Sequence, residues 1–298
     1  MGVAPVTRSG FVALAGRPNA GKSTLVNAIV GEKVAIVSDK PQTTRRAIRG
    51  VAAGEGWQLV LVDLPGVQRP RDALTERMQR RVERELGEAD VALVVLNGEE
   101  GVGGPGDRFI ARAVENSPVP VTLAVNKVDR LDRARTAAAL TAAHELAPEA
   151  DVFPVSARKG TGIGALVEHL VAQLPEGPAY FPAGQASDQP EHVVLAELIR
   201  EQVLARARQE VPHSVEVQIE DVEEGEGLTT IRALVWVETE SQKGILIGAG
   251  GRMVKAIGTA ARKELERRLG EKVHLELSVR VRRRWRADDA LLDRLGID

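Results

Sequence analysis

Short apolar runs alternate with stretches of helical periodicity through the first 174 residues. The runs are nearly continuous in apolar residues, as in strands that helices cover on both faces. They are FVALA (11–15), WQLVLVD (57–63), VALVVLN (91–97), VTLAVN (121–126) and DVFPVS (151–156). Helical patterns lie near 22–30, 74–87, 107–116, 131–147 and 163–174. This alternation predicts an α/β domain at 1–175 with a mostly parallel sheet.

A different order of elements follows. Segment 176–190 is rich in proline, glycine and small polar residues and is interpreted as a linker. Beyond it the pattern predicts a smaller α+β domain at 191–286 and a C-terminal tail at 287–298. The predicted elements of this second domain are a helix (191–209), a strand (213–220), an acidic turn EEGEG, a strand (228–238), a helix (252–269) and a strand (272–282).

Composition narrows the classes of function. The 298 residues leave room for two domains, and the absence of cysteine excludes disulfides and thiolate metal sites. The five histidines show no metal-ligand spacing. No apolar run approaches the roughly 18–20 residues of a membrane span. We therefore expect a soluble, cytoplasmic protein.

The charge is unevenly distributed. The net charge is −2, yet Lys243 to Arg286 holds 13 Lys/Arg against 4 Glu, a local net of +9, so the remainder carries −11. This asymmetry indicates a nucleic acid or anionic surface as the partner of the C-terminal end.

GRPNAGKS (16–23) follows a predicted strand and opens a predicted helix, the context of a phosphate-binding loop. Its backbone amides would face phosphates, Lys22 would neutralise the β/γ-phosphates, and the Ser23 hydroxyl would bind Mg²⁺. The alternative is a structural glycine turn. The candidate phosphate-binding residues are Gly16, Arg17, Pro18, Asn19, Ala20, Gly21, Lys22, Ser23 and Thr24.

Two further motifs end later strands. In DLPG (63–66), Asp63 can hold Mg²⁺, usually through water, and the Gly66 amide can meet a γ-phosphate. In NKVD (126–129), Asp129 can accept from both N1–H and the 2-amino group of guanine, whereas adenine lacks that amino group. The stem of Lys127 would cover the ring, and Asn126 would tie this loop to the phosphate-binding loop. The alternative for NKVD is a polar turn.

SAR (156–158), at the end of the next strand, offers the Ala157 amide to the guanine O6. The candidate guanine-binding residues are Asn126, Lys127, Asp129, Ser156, Ala157 and Arg158.

Together with PQTTR (41–45), these motifs resemble the five motifs of the translation-factor-related GTPases. The resemblance implies that PQTTR is the effector loop and that Thr44, with Thr43 as second choice, closes on Mg²⁺ when the γ-phosphate is present. The implied switch residues are Gln42, Thr43, Thr44, Asp63, Leu64, Pro65, Gly66 and Val67.

Two residues bear on hydrolysis. Val67 stands where Ras-like enzymes carry the glutamine that orients water, so slow intrinsic turnover is expected. Asn19 resembles the asparagine with which related GTPases hold a potassium ion, and potassium-assisted hydrolysis is our hypothesis. The alternative for Asn19 is a turn residue.

A second glycine-rich stretch, GILIGAGGRMV (244–254), lacks the GK[ST] of a second phosphate-binding loop. It also lacks the last glycine of G-x-G-x-x-G, because Met253 stands there. What remains is G-x-x-G at 248–251 between two helical stretches. The element order helix–strand–strand–helix–GxxG–helix–strand resembles a type II KH domain, whose glycine turn clamps a single-stranded backbone.

Basic residues surround this turn. The candidate RNA-binding residues are Lys243, Gly248, Ala249, Gly250, Gly251, Arg252, Lys255 and Arg262. Of four apolar neighbours (Ile245, Ile247, Val254, Ile257), most are expected in the core and the rest in a base-binding groove. The run RVRRRWR (280–286) contacts phosphates or forms a solvated face, and Trp285 is its only aromatic residue, so base stacking is not expected to dominate recognition.

GRPNAGKST, DKPQTTR, GTAARKELE and VHLELSVRV are similar to segments of the Era family of GTPases, and the resemblance covers nearly the whole chain. It implies a GTP-hydrolysing switch that binds GTP and GDP with Mg²⁺, binds the 3′ end of 16S rRNA, and assists maturation of the 30S subunit. Peripheral association with the inner face of the membrane is also implied, and no obligate oligomer is predicted. The chain departs from the family at Gly250, commonly lysine, at Leu64, usually threonine, and at Asn97-Gly98, more typically Asp-Ala.

Two other functions stay open. One is an RNA-binding module that nucleotide merely stabilises, without functionally important turnover. The other is a basic end that targets anionic lipid. A small-molecule kinase fits poorly, because NKVD selects guanine and no acceptor-site signature is present.

Overall fold

The computed structural model describes residues 8–40, 42–67, 72–115, 119–207, 211–295 and 297. The chain divides into two compact units. The first comprises Met1–Val37, Thr44–Arg71 and Thr75–Asp188, and the second comprises Ser38–Thr43, Asp72–Leu74 and Gln189–Asp298.

The N-terminal elements build a six-stranded sheet with helices on both faces. Its strands are β1 (Arg8–Ala15), β2 (Ile48–Gly54), β3 (Trp57–Asp63), β4 (Val91–Asn97), β5 (Val121–Asn126) and β6 (Asp151–Pro154). The helices are α1 (Lys22–Val30), α2 (Ala73–Glu88), α3 (Pro105–Glu115), α4 (Arg133–Leu146) and α5 (Ile163–Gln173). The strand order is β2-β3-β1-β4-β5-β6, and only β2 runs antiparallel to its neighbour. The predicted mostly parallel α/β domain is confirmed.

Burial explains the apolar runs. All seven residues of β4 are buried. Alternate residues of a strand point to opposite faces, so Val12 and Leu14 of β1 pack in one core with Leu25 of α1. Ala13 packs in the other core with Val82 of α2. Both faces of the sheet are therefore covered.

The sheet gathers the candidate site residues at one edge. Parallel strands end at the same side, and β1, β3, β4 and β5 end at Ala15, Asp63, Asn97 and Asn126. Ligands of open α/β sheets bind outside these carboxyl ends. The loops after them carry the predicted phosphate, magnesium and guanine motifs.

The second unit contains a three-stranded sheet in the order β7-β8-β9, with β7 antiparallel and β9 parallel to β8. Its strands are β7 (Glu216–Gly225), β8 (Leu228–Val237) and β9 (Lys272–Val281). Its helices are α6 (Glu191–Arg206), α7 (Val211–Ser214), α8 (Glu240–Ile247), α9 (Arg252–Leu269) and α10 (Asp289–Arg294). The core joins residues such as Ile199 of α6, Val235 of β8 and Leu265 of α9.

In the second unit, β7 and the C-terminal segment differ from the sequence-based expectation. The strand expected at 213–220 begins at Glu216 and continues through the first three residues of the predicted acidic turn, to Gly225. Its last six residues are exposed, so acidic side chains there meet water and do not end the strand. Within the segment interpreted as a tail, Leu291 and Leu292 of α10 are buried.

Helix α8 leads into the second glycine turn. A capping box starts it, with the Gln242 amide donating to the Thr239 hydroxyl (3.2 Å) and the Thr239 amide donating to the Gln242 side chain (3.2 Å). The helix ends at Ile247, and Gly248 follows as its C-cap.

None of the helices in the described part of the chain combines the length and apolar character needed to cross a bilayer.

Candidate functional site

Residues 16–21 connect β1 to α1 and close around a lysine. Lys22 Nζ donates to the carbonyl oxygens of Gly16 (3.0 Å) and Arg17 (3.1 Å). Gly21 adopts φ 92°, and a Cβ there would lie 2.3 Å from Asn126 Nδ2. A Cβ on Gly16 would lie 2.6 Å from the Val95 carbonyl oxygen. Only glycine therefore fits at either position, and the loop is tightly enclosed by protein.

Burial shifts the pKa of this lysine. Lys22 is 6% exposed, and desolvation lowers its pKa to about 8, although the carboxylate of Asp63 acts to raise it. A phosphate group would favour the charged form. The lysine is thus placed where an anionic ligand would restore its usual pKa.

Three oxygen-bearing side chains converge beside Lys22. Asp63 Oδ2 lies 2.6 Å from Ser23 Oγ and 3.3 Å from Thr44 Oγ1, and the two hydroxyls are 3.1 Å apart. The hydroxyl of Thr43 donates instead to the Lys40 carbonyl oxygen (2.6 Å). Of the two threonines, Thr44 contributes its hydroxyl to this cluster, and its contact with Mg²⁺ stays a prediction.

The chemistry of this cluster fits Mg²⁺. Asp63 is fully buried, and among the described residues its Oδ1 has no hydrogen-bond partner. Burial raises the pKa of Asp63, while Lys22 and the hydroxyls of Ser23 and Thr44 act to lower it. A hard cation with oxygen ligands would satisfy the orphaned oxygen.

The chain after β3 passes close to the phosphate-binding loop. A Cβ on Gly66 would lie 2.8 Å from the Pro18 nitrogen. The Val67 amide donates to the Gly16 carbonyl oxygen (3.2 Å), and the Val67 side chain is 7% exposed. Leu64 and Pro65 are also buried. A buried aliphatic side chain cannot orient water. The remainder of the predicted second switch, 68–71, lies outside the described residues.

Asn126 joins the predicted guanine loop to two other motifs. Its Nδ2 donates to the Ala20 carbonyl oxygen (3.0 Å), and its Oδ1 accepts from the amides of Lys127 (2.8 Å) and Ala157 (3.0 Å). The Ala157 amide, which we expected to face the guanine O6, is thus engaged by Asn126. Its contact with guanine stays a prediction.

Asp129 is positioned by Ser156, whose hydroxyl donates to Asp129 Oδ1 (2.7 Å). Lys127 adopts φ 66° and is partly buried, and Arg158 is exposed. The loops after β5 and β6 therefore meet at a hydrogen-bonded carboxylate, and its contact with guanine stays a prediction.

Three other predicted site residues are described by their backbone conformation or their exposure. Asn19 and Gln42 adopt left-handed conformations, with φ 63° and 59°. Thr24, in the first turn of α1, is partly exposed. Asn97, one of the departures from the family pattern, donates from Nδ2 to the Asn19 carbonyl oxygen (3.3 Å).

The second glycine turn, between α8 and α9, is open. Gly248 has φ 69°, and a Cβ there would lie 2.7 Å from Met253 Cβ. Gly250 and Gly251 have φ 60° and 77°, and apart from the adjacent residues no atom of the described chain lies within 4 Å of a Cβ built on either. Arg252 Nε donates to the Ala249 carbonyl oxygen (3.2 Å).

The side chains beside this turn divide between surface and core. Arg252, Lys255 and Arg262 are exposed, and Lys243 is partly buried. Ile257 is in the core at 1% exposed, whereas Ile245 is 41% exposed. Ile247 and Val254 are partly buried. The expectation that most of the four apolar residues are core residues is wrong, because only Ile257 is fully enclosed.

The basic run 280–286 is partly neutralised. Arg282 pairs with Asp288 (2.6 Å) and Arg286 with Glu238 (2.8 Å). Trp285 is fully buried and donates its indole N–H to the Ser214 carbonyl oxygen (2.8 Å). As a buried side chain, it is not a platform for bases.

Comparison with known protein families gives two matches, in separate parts of the chain. The family described as "50S ribosome-binding GTPase" matches residues 11–127, and the family described as "KH domain" matches residues 210–286. The chain thus joins a P-loop GTPase domain with a mostly parallel sheet to a C-terminal KH domain.

The relatives define the family more narrowly. The GTPase Era of Mycolicibacterium smegmatis is 46% identical over 97% of this chain and 98% of that protein. The chain belongs to the Era family, and it is a GTPase. A crystal structure of Era in complex with MgGDPNP and nucleotides 1506–1542 of 16S ribosomal RNA matches with a TM-score of 0.94 and 35% identity, covering 98% of this chain and 99% of that one. A variant of Aquifex aeolicus Era bound to GDP and AlF4⁻ matches with a TM-score of 0.93 and 35% identity, covering 97% and 99%.

Proposed function

We propose that this GTPase is an RNA-binding switch. It holds GTP or GDP with Mg²⁺ at the edge of the six-stranded sheet, binds 16S rRNA near its 3′ end through the KH domain, and assists maturation of the 30S subunit. The convergence of Ser23, Thr44 and Asp63 beside the lysine-closed loop carries the proposal. The Era complex that contains MgGDPNP and a 16S rRNA fragment supports it.

In the nucleotide-bound protein, Lys22 exchanges its two carbonyl acceptors for phosphate oxygens. Ser23, Thr44 and Asp63 would hold Mg²⁺. Mg²⁺ would neutralise charge on the phosphates. The Gly66 amide meets the γ-phosphate, so that loss of this group releases both Thr44 and Gly66.

Base selection follows from the two loops after β5 and β6. Asp129, fixed by Ser156, accepts from both donors on the guanine edge. The Lys127 stem covers the ring, and Asn126 keeps the base-binding and phosphate-binding loops in register. Arg158 is exposed, so we assign it a peripheral part at most.

Chain connectivity supports communication between nucleotide and RNA. Residues 38–43 belong to the second unit, whereas Thr44 belongs to the first. The segment that holds Thr43 and Thr44 therefore passes from the second unit into the first. We expect the affinity for RNA to differ between the forms bound to a GTP analogue and to GDP.

RNA would bind at the open turn before α9. Gly250 and Gly251 leave room for a sugar-phosphate backbone, and Arg252 and Lys255 supply exposed positive charge. Lys243 and Arg262 lie on the flanking helices α8 and α9 and would extend this surface.

The RNA-binding part can be tested with two matched glycine variants. Gly250→Asp places a carboxylate in the open turn, where it would repel phosphate. Gly270→Asp places the same group on a glycine of φ 75° with equally open surroundings, at the other end of α9 and about 27 Å away. The affinity for an oligonucleotide with the 3′-end sequence of 16S rRNA, measured by fluorescence anisotropy, should weaken roughly tenfold or more with Gly250→Asp alone. Equal weakening by both variants would contradict the assignment.

The alternative, a nucleotide-stabilised RNA clamp without important turnover, is separable from the switch. Lys22→Ala should abolish GTP hydrolysis and remove the difference in RNA affinity between nucleotides. If the wild-type chain binds RNA equally well with GDP and with a GTP analogue, the clamp is favoured. Peripheral membrane association predicts binding to acidic vesicles that competing RNA does not displace.

A further inference from the structure

The segment that follows β4 contacts the phosphate-binding loop through Arg17. Arg17 Nε lies 2.8 Å from Asp107 Oδ1, an ion pair by distance, although neither atom has a hydrogen-bond partner among the described residues. The same guanidinium donates to the Gly101 carbonyl oxygen (3.1 Å). The two ionic partners are 90 residues apart and belong to the first unit.

Asp107 is itself firmly held. Its side chain is 1% exposed, and its Oδ2 accepts from the amides of Gly103 (3.1 Å) and Gly104 (3.3 Å). A Cβ on Gly106 would lie 2.7 Å from Arg17 Cδ. The first turn of α3 therefore provides a fixed carboxylate and a glycine surface against the arginine stem.

A second contact lies two residues further along the phosphate-binding loop. Asn97 is fully buried, and its Nδ2 donates to the Asn19 carbonyl oxygen (3.3 Å), while its Oδ1 accepts from the Glu100 amide (3.3 Å). An aspartate at position 97 could not donate in its ionised form. The segment after β4 thus holds the loop at both Arg17 and Asn19.

These contacts bear on the groups that face the nucleotide. The Arg17 carbonyl oxygen accepts from Lys22 Nζ (3.1 Å), and the next residue, Pro18, lies against Gly66. Displacing Arg17 would displace an acceptor of the phosphate-binding lysine and a neighbour of the γ-phosphate-sensing glycine. Because the guanidinium is paired with Asp107, Lys22 is left as the cation for phosphate.

We propose that Arg17 and Asp107 are a positioning pair for nucleotide binding. The pair keeps the phosphate-binding loop in its nucleotide-accepting geometry and so sets how long GDP and GTP stay bound. It acts on binding of the ground state and of the transition state alike. The proposal rests on the proposed role of residues 16–24 in phosphate binding.

The test uses the full chain and the isosteric variant Asp107→Asn, which keeps an oxygen for the Gly103 and Gly104 amides and removes the charge. We expect GDP to dissociate roughly tenfold faster and the KM for GTP to rise by a similar factor, with kcat nearly unchanged. Arg17→Gln should act in the same direction. Glu100→Gln is the matched control, because the Glu100 carboxylate is half exposed and 3.9 Å from Arg17; it should leave both quantities unchanged.

The double variant decides whether the residues act as a pair. Its effect on GDP dissociation should be no larger than that of either single variant. Additive effects of the two substitutions would overturn the proposal. A lower melting temperature without faster GDP dissociation would also overturn it, because it indicates a merely structural role. If Arg17→Gln does not fold, Arg17→Lys takes its place in the cycle with the same two criteria.

Lys22→Ala separates this proposal from the proposed function. If that variant binds GDP like the wild type, the phosphate-loop assignment itself fails. If it loses GDP binding while Asp107→Asn dissociates GDP at the wild-type rate, only the positioning pair is overturned.

Discussion

The two glycine turns of this chain differ in what surrounds them. A Cβ on Gly16 or Gly21, in the loop before α1, would lie within 2.6 Å of protein atoms, and a Cβ on Gly66, after β3, would lie 2.8 Å from Pro18 of that loop. In the turn before α9, Gly250 and Gly251 face open space within the described structure. The first turn is enclosed by strands and neighbouring loops, and the second projects between two helices.

This difference matches two kinds of ligand. An enclosed loop fixes the positions of its amides and lysine, which suits the small, highly charged phosphates of a mononucleotide. An open turn lets a continuous backbone pass by, which suits a single strand of RNA. Glycine serves close packing in one unit and ligand approach in the other.

The strongest test of this contrast adds one methyl group to each turn. Gly21→Ala forces a Cβ to within 2.3 Å of Asn126 Nδ2 at φ 92°, so it displaces the contact that joins the phosphate and guanine loops. We expect GDP affinity to fall at least roughly 100-fold. Gly250→Ala carries only the backbone strain of positive φ and should cost about 1 kcal/mol of stability without changing GDP affinity. Titration with a fluorescent GDP measures the affinity, and thermal unfolding measures the stability. Equal losses of GDP affinity in the two variants would contradict the contrast.

Base selection provides the next test. Asp129→Asn should lower the affinity for GTP and shift preference towards xanthosine triphosphate, because the amide offers a donor to the xanthine 2-oxygen. Asp132→Asn, three residues away, changes an N-cap that accepts from the Arg135 amide, a role that asparagine also performs. That control should keep the wild-type preference. Competition between the two nucleotides is the measurement, and an unchanged preference in Asp129→Asn would refute the base assignment.

A moderate effect is expected from monovalent cations. With Val67 buried and Arg17 paired to Asp107, neither residue supplies water orientation or transition-state charge. We expect GTP hydrolysis to be roughly tenfold faster in potassium than in sodium, and Asn19→Ala to remove the difference. GTP affinity measured in both salts separates catalysis from binding. Equal turnover would eliminate potassium assistance.

The smallest effect concerns pH. The pKa of Lys22 in the nucleotide-free protein is about 8, lowered chiefly by burial, so the lysine loses its proton as the pH rises through that value. Phosphate binds the charged form and raises the pKa, so GDP affinity should weaken above pH 8, by at most about tenfold per unit. Calorimetry in buffers of different ionisation enthalpy should detect proton uptake on binding. In Lys22→Arg the guanidinium stays charged, and the pH dependence of any remaining binding should disappear.

The same lysine affects stability with a definite sign. Its folded pKa is below the unfolded value of 10.5, so between pH 8 and 10.5 the unfolded chain binds more protons than the folded chain. This group therefore destabilises the folded state below pH 8, and the cost diminishes as the pH rises through that window.

Much of this architecture could be predicted from the sequence, because its strands are buried on both faces and its motifs are local. Strands β3, β4 and β5 begin and end where the apolar runs do. Strand β2 was missed. Its sequence IRGVAAG contains few large apolar residues and forms an antiparallel edge strand, so it lacks the continuous apolar pattern of its neighbours. The acidic end of β7 was missed for a similar reason, since exposed charge resembles a turn.

The site could be predicted only where its residues follow one another in the chain. The phosphate, magnesium and guanine motifs met at one edge as expected from the parallel strands. The pairing of Arg17 with Asp107 had no local signal, because tertiary folding brings together two turns that are distant in sequence. For the same reason the basic run 280–286 looked uniformly available, although Arg282 and Arg286 are paired and Trp285 is internal.

One titration tests the central claim most directly. An oligonucleotide with the 3′-end sequence of 16S rRNA is titrated calorimetrically into the full chain saturated with Mg²⁺ and a non-hydrolysable GTP analogue. Separate sites predict one RNA bound per nucleotide-loaded chain, with the analogue retained. Absence of heat, or release of the analogue as RNA binds, would contradict the assignment of the two turns to two ligands.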